Sequence, residues 1–388
     1  MRILADQNIP GLDAYFHALG EVRVMAGRDI AAHDLRDVDV LLVRSVTRVD
    51  NALLQGSRVR FVGSATAGLD HVDIHGLRAA GVGFAAAPGA NANAVVEYVL
   101  AAISVQPDML ERLLDGGRVG IIGYGHVGRL LRERLAALGI ASLQYDPWLA
   151  PGQVPDPVSL DTVLACDVVS LHTSLTHDAP WPSFHLLTAP QLARLGPQNL
   201  LINASRGAVV DQAALLARLQ APNPPQCVLD VWEFEPEVSV PLLRQVSVGT
   251  AHIAGYSHDA KLAATRQLAL AVQNAFGLAQ HPVATATAAA ADPLVPPAGL
   301  RGVAVLRWLC GARYDIRADD RALREAVFGI DAVRARKAFD ELRRAYPMRR
   351  ELAGSRVQAS NVEQRRWVVA LGGSVQGSSS LKGDTGVH

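Results

Sequence analysis

The chain has few of the features that mark secreted, membrane-spanning or nucleic-acid-binding proteins. Its 388 residues include three cysteines, which form no CxxC pair and no plausible disulfide framework. This scarcity favours a reducing cytoplasm. The N-terminal segment MRILADQNIP has an aspartate where a secretory signal would have an apolar core. No apolar run approaches the length of a membrane-spanning helix, so we expect a cytoplasmic protein.

The charge balance argues against two classes of partner. Lys plus Arg and Asp plus Glu both number 37, so the formal net charge is zero. Without excess positive charge, no general affinity for nucleic acid or an anionic membrane is expected. Hydrophobic residues make up 49 % of the chain, which is enough for sizeable cores in two or three domains.

Short apolar runs alternate with helical patterns along most of the chain. Residues 2–5, 38–44 and 59–64 read as buried strands, and a long helical pattern covers 92–104. A second series of strand-like runs follows at 119–122, 142–145, 168–172, 200–203, 227–231 and 247–249. The α/β spacing predicts two doubly wound, parallel-sheet, Rossmann-like domains. From residue 282 an Ala- and Pro-rich segment reads as a linker, and residues 301–352 are mostly helical in pattern.

A glycine-rich turn follows one of these strands. Gly123, Gly125 and Gly128 form a G-x-G-x-x-G match between an apolar strand and an amphipathic helix, and a second strand ends at Asp146. The first glycine permits the tight turn, the second lets a pyrophosphate approach the backbone, and the third lets helix pack on strand. A carboxylate at Asp146 suits a ribose and repels a 2′-phosphate, so NAD is favoured over NADP. The alternative is an ordinary structural turn.

The position of this turn carries a further expectation. More than 100 residues precede it, whereas in a single-domain protein of this kind the motif lies near the N-terminus. We therefore expect a separate domain ahead of the cofactor domain, with a cleft between them.

Three further segments follow predicted strands and carry the groups that oxidation of a 2-hydroxy acid needs. Arg206 could hold a substrate carboxylate bidentately. His252 could accept the hydroxyl proton, and a carboxylate paired with it would favour the imidazolium. Spacing alone does not choose among Glu233, Glu235 and Glu237.

Alternatives exist for each of these residues. A lone Arg after a strand is more often a surface residue. His172 and His258 rival His252 as the base, since the chain has twelve histidines. No metal-ligand spacing is present, and we expect no metal site.

Taken together, these motifs resemble the D-isomer-specific 2-hydroxyacid dehydrogenase family over roughly residues 1–285. The segments that carry the resemblance are GYGHVG followed by Asp146, INASRGAVVD, LDVWEFEPE and AHIAGY, in that order. The resemblance implies catalytic roles for Arg206, Glu235 and His252, because the family's Glu directly precedes the Pro. It also implies two similar α/β domains, with the first completed by a helix near 259–280.

A closer resemblance within the family rests on the segments ILADQNIPG, LLVRSVTRVD, FVGSATAGLDHVDI and HIAGYS, and on ADDRALREAVF and FDELRRAYPMRRE near the C-terminus. It implies a small phosphorylated four-carbon 2-hydroxy acid as substrate. It also implies a homodimer formed through a small C-terminal α+β domain. The implied domains are 1–92 with 259–285 for substrate, 93–258 for NAD and 286–373 for dimerisation. The last residues, 374–388, are rich in Gly and Ser with few apolar groups, which predicts a disordered tail.

The same resemblance implies further site residues. The implied substrate contacts are Ser45, Thr66 and Tyr256, and Arg44 beside Ser45 is a candidate phosphate partner. The residues implied to line the NAD site are His126, Val127, Asp146, Thr173, Asp230 and Gly255. From the residues alone, Ser45 and Thr66 read as turn and cap residues.

Two positions depart from the family pattern. Phe234 stands where this group usually has Gly, and Ala251 stands where many relatives carry Pro. Two alternative functions also stay open. One is another dehydrogenase of the family, acting on 3-phosphoglycerate or glycerate. The other is a non-catalytic NADH-sensing corepressor on the same fold.

Overall fold

The computed structural model describes residues 1–66, 68–278 and 293–376. The strands are β1 (Arg2–Asp6), β2 (Glu21–Met25), β3 (Val40–Val43), β4 (Phe61–Ser64), β5 (Gly83–Ala86), β6 (Arg118–Ile122), β7 (Ala141–Tyr145), β8 (Val168–Leu171), β9 (Leu200–Asn203), β10 (Gln226–Leu229), β11 (Val248–Gly249), β12 (Arg356–Gln358) and β13 (Ser374–Gln376).

The α-helices are α1 (Leu12–Phe16), α2 (Asn51–Leu54), α3 (Ile74–Ala79), α4 (Ala92–Ser104), α5 (Met109–Leu114), α6 (His126–Leu138), α7 (Leu160–Leu164), α8 (Ala189–Leu192), α9 (Gln212–Gln220), α10 (Val240–Gln245), α11 (His258–Ala275), α12 (Val303–Gly311), α13 (Ile316–Val327), α14 (Ala332–Arg344) and α15 (Val362–Ala370). Short 3-10 helices lie at Gly27–Asp29, Ala32–Leu35 and Gly207–Val209. Within the described ranges, no helix has both the length and the apolar character to cross a bilayer.

A five-stranded parallel sheet forms the first unit, which contains residues 1–94 and 255–278 of the described chain. Its strand order is β2-β1-β3-β4-β5. Because side chains alternate between the faces of a strand, Leu41 and Leu42 enter different cores. Leu42 packs with Leu268 of α11, whereas Leu41 packs with Leu35 and Leu77. Helical segments therefore cover both faces of the sheet.

A six-stranded parallel sheet forms the second unit, which contains residues 95–254 and 293–376 of the described chain. The strand order is β11-β10-β9-β8-β6-β7. The chain starts at β6, adds β7 on one side, and then builds outward from β8 to β11 on the other. Ligands bind such sheets outside the carboxyl ends of the strands, near this switch point.

The C-terminal segment packs into the core of the second unit. Leu323, Val327 and Phe339, from α13 and α14, share one apolar cluster with Leu242 and Leu243 of α10. The short parallel strands β12 and β13, connected by α15, form a small βαβ element beside it. The contacts thus join this segment to the 95–254 region, and a separate dimerisation domain at 286–373 stays a prediction.

Two predictions from the sequence, the disordered tail and the linker, extend into residues that the structure does not describe. The disordered tail was expected from residue 374, but Ser374–Gln376 form β13 by pairing with Arg356–Gln358, so that boundary was three residues early. The rest of the tail and most of the expected linker lie outside the described residues. The two parallel α/β sheets themselves are confirmed, and the expected helix near 259–280 is seen as α11.

Candidate active site

The glycine-rich turn between β6 and α6 is built as its sequence pattern predicts. Gly123 has a φ of +94°, and a Cβ there would lie 2.7 Å from the carbonyl oxygen of His172. A Cβ on Gly128 would lie 2.2 Å from the Gly123 carbonyl oxygen. By contrast, a Cβ on Gly125 would meet nothing within 4 Å. The first and third glycines are therefore required by packing, and the second leaves open space for a ligand.

Asp146 ties the turn to the end of β7. Its Oδ2 accepts the Tyr124 N–H at 2.8 Å, and its Oδ1 accepts the Trp148 N–H at 3.1 Å. Each carboxylate oxygen keeps a lone pair for another donor, such as a ribose hydroxyl. The carboxylate thus holds the turn and still has capacity for the ligand predicted to lie there.

The surroundings of this turn fit NAD. No side chain caps the N-terminus of α6 at Gly125, so its first N–H groups can donate to phosphates. His126 and Val127 form the first turn of that helix. The hydroxyl of Thr173, after β8, is buried without a hydrogen-bond partner among the described residues. An orphaned buried hydroxyl beside an open turn suits a polar ligand.

Arg206 lies in the loop that follows β9. Asn203 organises this loop, because its Oδ1 accepts from Ser205 N and Oγ while its Nδ2 donates to the Arg206 carbonyl oxygen at 3.0 Å. The Arg206 side chain is half-buried, and its Nη1 donates to Ser205 O at 2.8 Å. A Cβ on Gly207 would lie 2.0 Å from the backbone carbon of Trp232. Glycine therefore lets the Arg206 loop approach the loop after β10.

Glu235 and His252 form a hydrogen-bonded pair on the loops after β10 and β11. Glu235 Oε2 lies 2.7 Å from His252 Nδ1, and Glu235 Oε1 accepts the Trp232 N–H at 2.8 Å. Burial would raise the pKa of Glu235, but His252, the Trp232 N–H and the charge of Arg343 outweigh it and lower that pKa. An ionised Glu235 can only accept, so Nδ1 donates and Nε2 is left as the base.

The structure distinguishes the three glutamates by their partners, which spacing alone could not do. Glu233 Oε1 lies 2.7 Å from His185 Nε2, and its Oε2 accepts the Gln212 N–H. Glu237 pairs with Arg336. Only Glu235 has a hydrogen bond to His252.

The two rival histidines occupy other surroundings. The Nε2 of His172 shares a hydrogen bond with Ser170 Oγ at 2.9 Å. Its Nδ1 is buried without a hydrogen-bond partner among the described residues. His258 begins α11 in the first unit. Neither residue has a hydrogen bond to a carboxylate among those described.

Asp230 holds the loop that carries His252. Its carboxylate is buried and accepts from Thr250 Oγ1 at 2.6 Å, from Ile253 N at 2.8 Å and from Ala254 N at 2.9 Å. Its carbonyl oxygen accepts from His252 N at 2.7 Å. This network fixes His252 at a φ of +56°, which non-glycine residues rarely adopt. Sequence reasoning placed Asp230 at the cofactor and missed this anchoring role.

The predicted substrate contacts lie in the first unit. Arg44 and Ser45 directly follow β3, and Thr66 follows the neighbouring strand β4. Thr66 Oγ1 donates to Gly68 O at 2.9 Å, and it lies 2.8 Å from Ser64 Oγ. These residues share the carboxyl end of one sheet.

Tyr256 and Gly255 lie just before α11, also in the first unit. The Tyr256 ring lies beneath the Lys261 ammonium, 4.9 Å from ring centroid to Nζ. A Cβ on Gly255 would lie 2.5 Å from Asn91 Nδ2, so glycine permits this close approach. Among the described residues, no group of three or more His, Cys, Asp or Glu is placed to hold a metal ion.

A dinucleotide-binding turn and a histidine–carboxylate pair at the strand ends of one doubly wound sheet define an NAD-dependent dehydrogenase. Comparison with known proteins supports this assignment. The model for the D-isomer specific 2-hydroxyacid dehydrogenase NAD binding domain matches residues 92–254, and that for a domain of unknown function matches residues 300–372.

Similar proteins cover nearly the whole chain. The erythronate-4-phosphate dehydrogenase of Cellvibrio japonicus (strain Ueda107) is 46 % identical over 96 % of this chain and 99 % of its own. That of Azotobacter vinelandii (strain DJ) is 47 % identical, with the same coverage of both chains. An NAD-bound 3-phosphoglycerate dehydrogenase structure from Entamoeba histolytica shares the fold, with a TM-score of 0.61 and 20 % identity over 71 % of this chain and 95 % of that one.

The chain therefore belongs to the D-isomer-specific 2-hydroxyacid dehydrogenase family, in the group formed by these erythronate-4-phosphate dehydrogenases. The resemblance predicted from its motifs is confirmed, and so is NAD as cofactor. An enzymatic function is likewise confirmed, which disfavours the corepressor alternative. The roles of single residues stay predictions.

Proposed function

We propose that this protein oxidises 4-phospho-D-erythronate to 2-oxo-3-hydroxy-4-phosphobutanoate with NAD, as a step of pyridoxal 5′-phosphate biosynthesis. The main supporting observation is the similarity to erythronate-4-phosphate dehydrogenases over 96 % of the chain. The C-terminal segment after residue 300, which a generic family member need not share, lies within that match. This argues for the particular substrate rather than for the family alone.

Arg206 and His252 would perform the chemistry on the substrate. Arg206 would hold the substrate carboxylate and the C2 oxygen with its planar guanidinium. His252 would accept the C2 hydroxyl proton at Nε2, since Nδ1 donates to Glu235. Glu235 would stabilise the imidazolium that forms and keep the ring oriented.

Bound NAD would supply the hydride acceptor that oxidation at C2 requires. The open turn at Gly123–Gly128 and the first turn of α6, with His126 and Val127, would hold its pyrophosphate. Asp146 would accept from the ribose. Thr173, Asp230 and Gly255 would complete the set of cofactor residues.

The residues of the first unit would contact the substrate. Ser45 and Thr66 carry hydroxyls at the ends of neighbouring strands, and Tyr256 lies ahead of α11. Arg44 would contact the phosphate because its guanidinium forms no ion pair with a described residue.

A substrate panel tests the function. Initial rates of NADH formation would be measured with 4-phospho-D-erythronate, D-erythronate, D-3-phosphoglycerate and D-glycerate. We expect 4-phospho-D-erythronate to have the highest kcat/KM. A higher value for 3-phosphoglycerate or glycerate would support the alternative dehydrogenase and overturn the proposal.

Replacing the proposed base should abolish most of the turnover. We expect His252→Gln to lower kcat on the order of a hundredfold or more, because general-base catalysis contributes about that much. His185→Gln is a matched control, since His185 has its own glutamate partner, Glu233. The assignment fails if His252→Gln retains near-normal kcat while binding NAD normally.

We also propose that the protein acts in the cytoplasm as a homodimer formed through its C-terminal segment. All three cysteines, Cys166, Cys227 and Cys310, are buried free thiols, which suits a reducing compartment. Exposed apolar side chains on the C-terminal segment, Met348, Val362 and Val369, support a subunit contact there.

A further inference from the structure

Two cationic side chains of the first unit have no carboxylate partner among the described residues. Arg44 follows β3, and Lys261 lies near the N-terminus of α11. Both are half-buried, and neither forms an ion pair with any described residue. Charged side chains that are removed from water normally have an opposite charge nearby, so two half-buried cations without one are unusual.

The packing of α11 brings Lys261 to the same end of the sheet as Arg44. The Arg60 guanidinium, just before β4, stacks 4.8 Å from the ring centroid of Phe276, just after α11. Midway along both elements, a Cβ on Gly63 would lie 3.3 Å from Leu268. The helix therefore runs antiparallel to β4, and its N-terminal end with Lys261 lies at the carboxyl ends of the strands.

The local electrostatics disfavour the charged lysine. Burial lowers the pKa of Lys261, and the positive charge of Arg44 lowers it further. The partial positive charge of the helix N-terminus acts in the same direction. The Tyr256 ring, 4.9 Å from Nζ, offers only a modest cation–π attraction. An anion bound between the two side chains would offset these unfavourable effects.

We propose that Lys261 and Arg44 together form the phosphate subsite of this protein, which takes the dianionic phosphate monoester of the substrate. The identity of that monoester rests on the proposed function. Arg44 is suggested by its neighbour Ser45 in the sequence, whereas Lys261 belongs to no motif and is found only from the fold. Lys261 is therefore a specificity-determining residue, because a substrate without phosphate leaves its charge uncompensated.

Amine labelling of the full chain tests phosphate binding without any turnover. The chain has three lysines, Lys261, Lys337 and Lys382, so each can be followed by peptide mass spectrometry. Trace acetylation with acetic anhydride would be compared with inorganic phosphate, with 4-phospho-D-erythronate and with KCl at matched ionic strength. Saturating phosphate should slow acetylation of Lys261 about tenfold, since an ion pair raises an amine pKa by about one unit.

Lys337, an exposed residue of α14, is the internal reference. Its labelling rate should be the same in phosphate and KCl. Protection in Arg44→Gln should be weaker than in the unmodified sequence. Equal labelling of Lys261 in phosphate and KCl would overturn the proposal, and so would equal protection of Lys261 and Lys337.

Kinetics of Lys261→Met give a second, independent readout. A charge-assisted contact to phosphate is worth about one to two powers of ten in affinity. We expect kcat/KM for 4-phospho-D-erythronate to fall by about that factor, mainly through KM, and by at least about tenfold more than for D-erythronate. Lys261→Arg should recover most of the loss, and Lys337→Met should show none. Equal losses on both substrates would overturn the phosphate role.

The two readouts separate this inference from the proposed function. Protection of Lys261 by inorganic phosphate, in a chain that does not oxidise 4-phospho-D-erythronate, would support the subsite and reject the proposed substrate. Normal oxidation of 4-phospho-D-erythronate, with no protection and no phosphate-dependent loss in Lys261→Met, would support the function and reject the subsite.

Discussion

At the scale of single residues, the proposed chemistry depends on one carboxylate among three close neighbours. Glu235 is ionised and accepts from His252 Nδ1 at 2.7 Å. We expect Glu235→Gln to lower kcat about tenfold to hundredfold, because the imidazolium loses its stabilising charge. Initial rates with saturating NAD and 4-phospho-D-erythronate would measure the effect.

Glu233→Gln is the matched control for that variant. Glu233 makes a similar pair with His185, at 2.7 Å, but has no contact with His252 among the described residues. Its kcat should therefore stay near that of the unmodified chain. If Glu235→Gln and Glu233→Gln lowered kcat equally, the specific pairing of Glu235 with His252 would not be the cause.

His172 predicts a pH dependence of stability. Burial lowers the pKa of its ring to about 3, whereas in the unfolded chain the ring keeps the ordinary histidine pKa of 6.5. The unfolded state therefore binds the proton first, and stability is lost as the pH falls from 6.5 toward 3. Between pH 7.5 and pH 5 this single group should cost about 2 kcal/mol of unfolding free energy.

Guanidinium unfolding at the two pH values would measure that cost. The advantage of the unmodified chain over His172→Gln should shrink by about 2 kcal/mol between pH 7.5 and pH 5. His75→Gln, at an exposed position, should show no such change. A pH-independent difference between the unmodified chain and His172→Gln would mean that the ring is protonated in the folded state.

How much of the site could be predicted from the sequence depends on whether a residue's role is local. The glycine turn and Asp146 act within one βαβ unit, so their spacing was sufficient. The choice among Glu233, Glu235 and Glu237 needed the family pattern, because their partners come from distant segments. Lys261 was missed because it belongs to no motif, and no local pattern brings the start of α11 to the strand ends of the first sheet.

At the scale of elements, helix α13 of the C-terminal segment holds the edge strand β11, which precedes the loop that carries His252. Asp320 Oδ1 accepts from Gly249 N at 2.7 Å and from Arg324 Nε at 2.9 Å. Arg324 also donates to the Leu243 and Val246 carbonyl oxygens. This clamp ties α13 to β11 and to the segment that precedes it.

Removing the carboxylate should therefore destabilise the second unit. We expect Asp320→Ala to lower the unfolding free energy by about 2–3 kcal/mol, because it leaves a largely buried guanidinium and an edge N–H without their acceptor. Asp320→Asn keeps an acceptor and should cost less. Glu325→Ala, on the exposed side of the same helix, should stay within about 0.5 kcal/mol. Denaturant unfolding would rank the three, and equal effects would exclude the clamp.

Whether a strand could be predicted from the sequence depends on how deeply its side chains are buried. β3 and β4 lie in the sheet interior with every residue buried, so they appear as apolar runs. The edge strand β2 has largely exposed side chains, and β5 is Gly- and Ala-rich with none buried. Their pairing comes from the sheet rather than from their own residues, and pattern alone carries little signal for such strands.

At the scale of the whole molecule, the C-terminal segment of the second unit carries large apolar side chains that are exposed. Val362 and Val369 of α15 are 83 % and 60 % exposed, and seven residues apart they lie on the same helix face. They border a groove between α6 and α15, whose other lining residues are Ala137 and Ala370 and the charged Glu133, Arg134, Arg365 and Arg366. An apolar strip of this kind on one helix suits a self-complementary contact about a two-fold axis.

The subunit contact proposed there predicts the mass in solution. By light scattering after gel filtration, the unmodified chain should have about twice its chain mass of 41.3 kDa. Val362→Asp with Val369→Asp should give the single-chain mass, because two carboxylates would be desolvated at the contact. Val24→Asp, at an exposed position of the first unit, should leave the larger mass unchanged. A single-chain mass for the unmodified protein would reject the dimer. A double variant that keeps the larger mass would place the contact elsewhere on the chain.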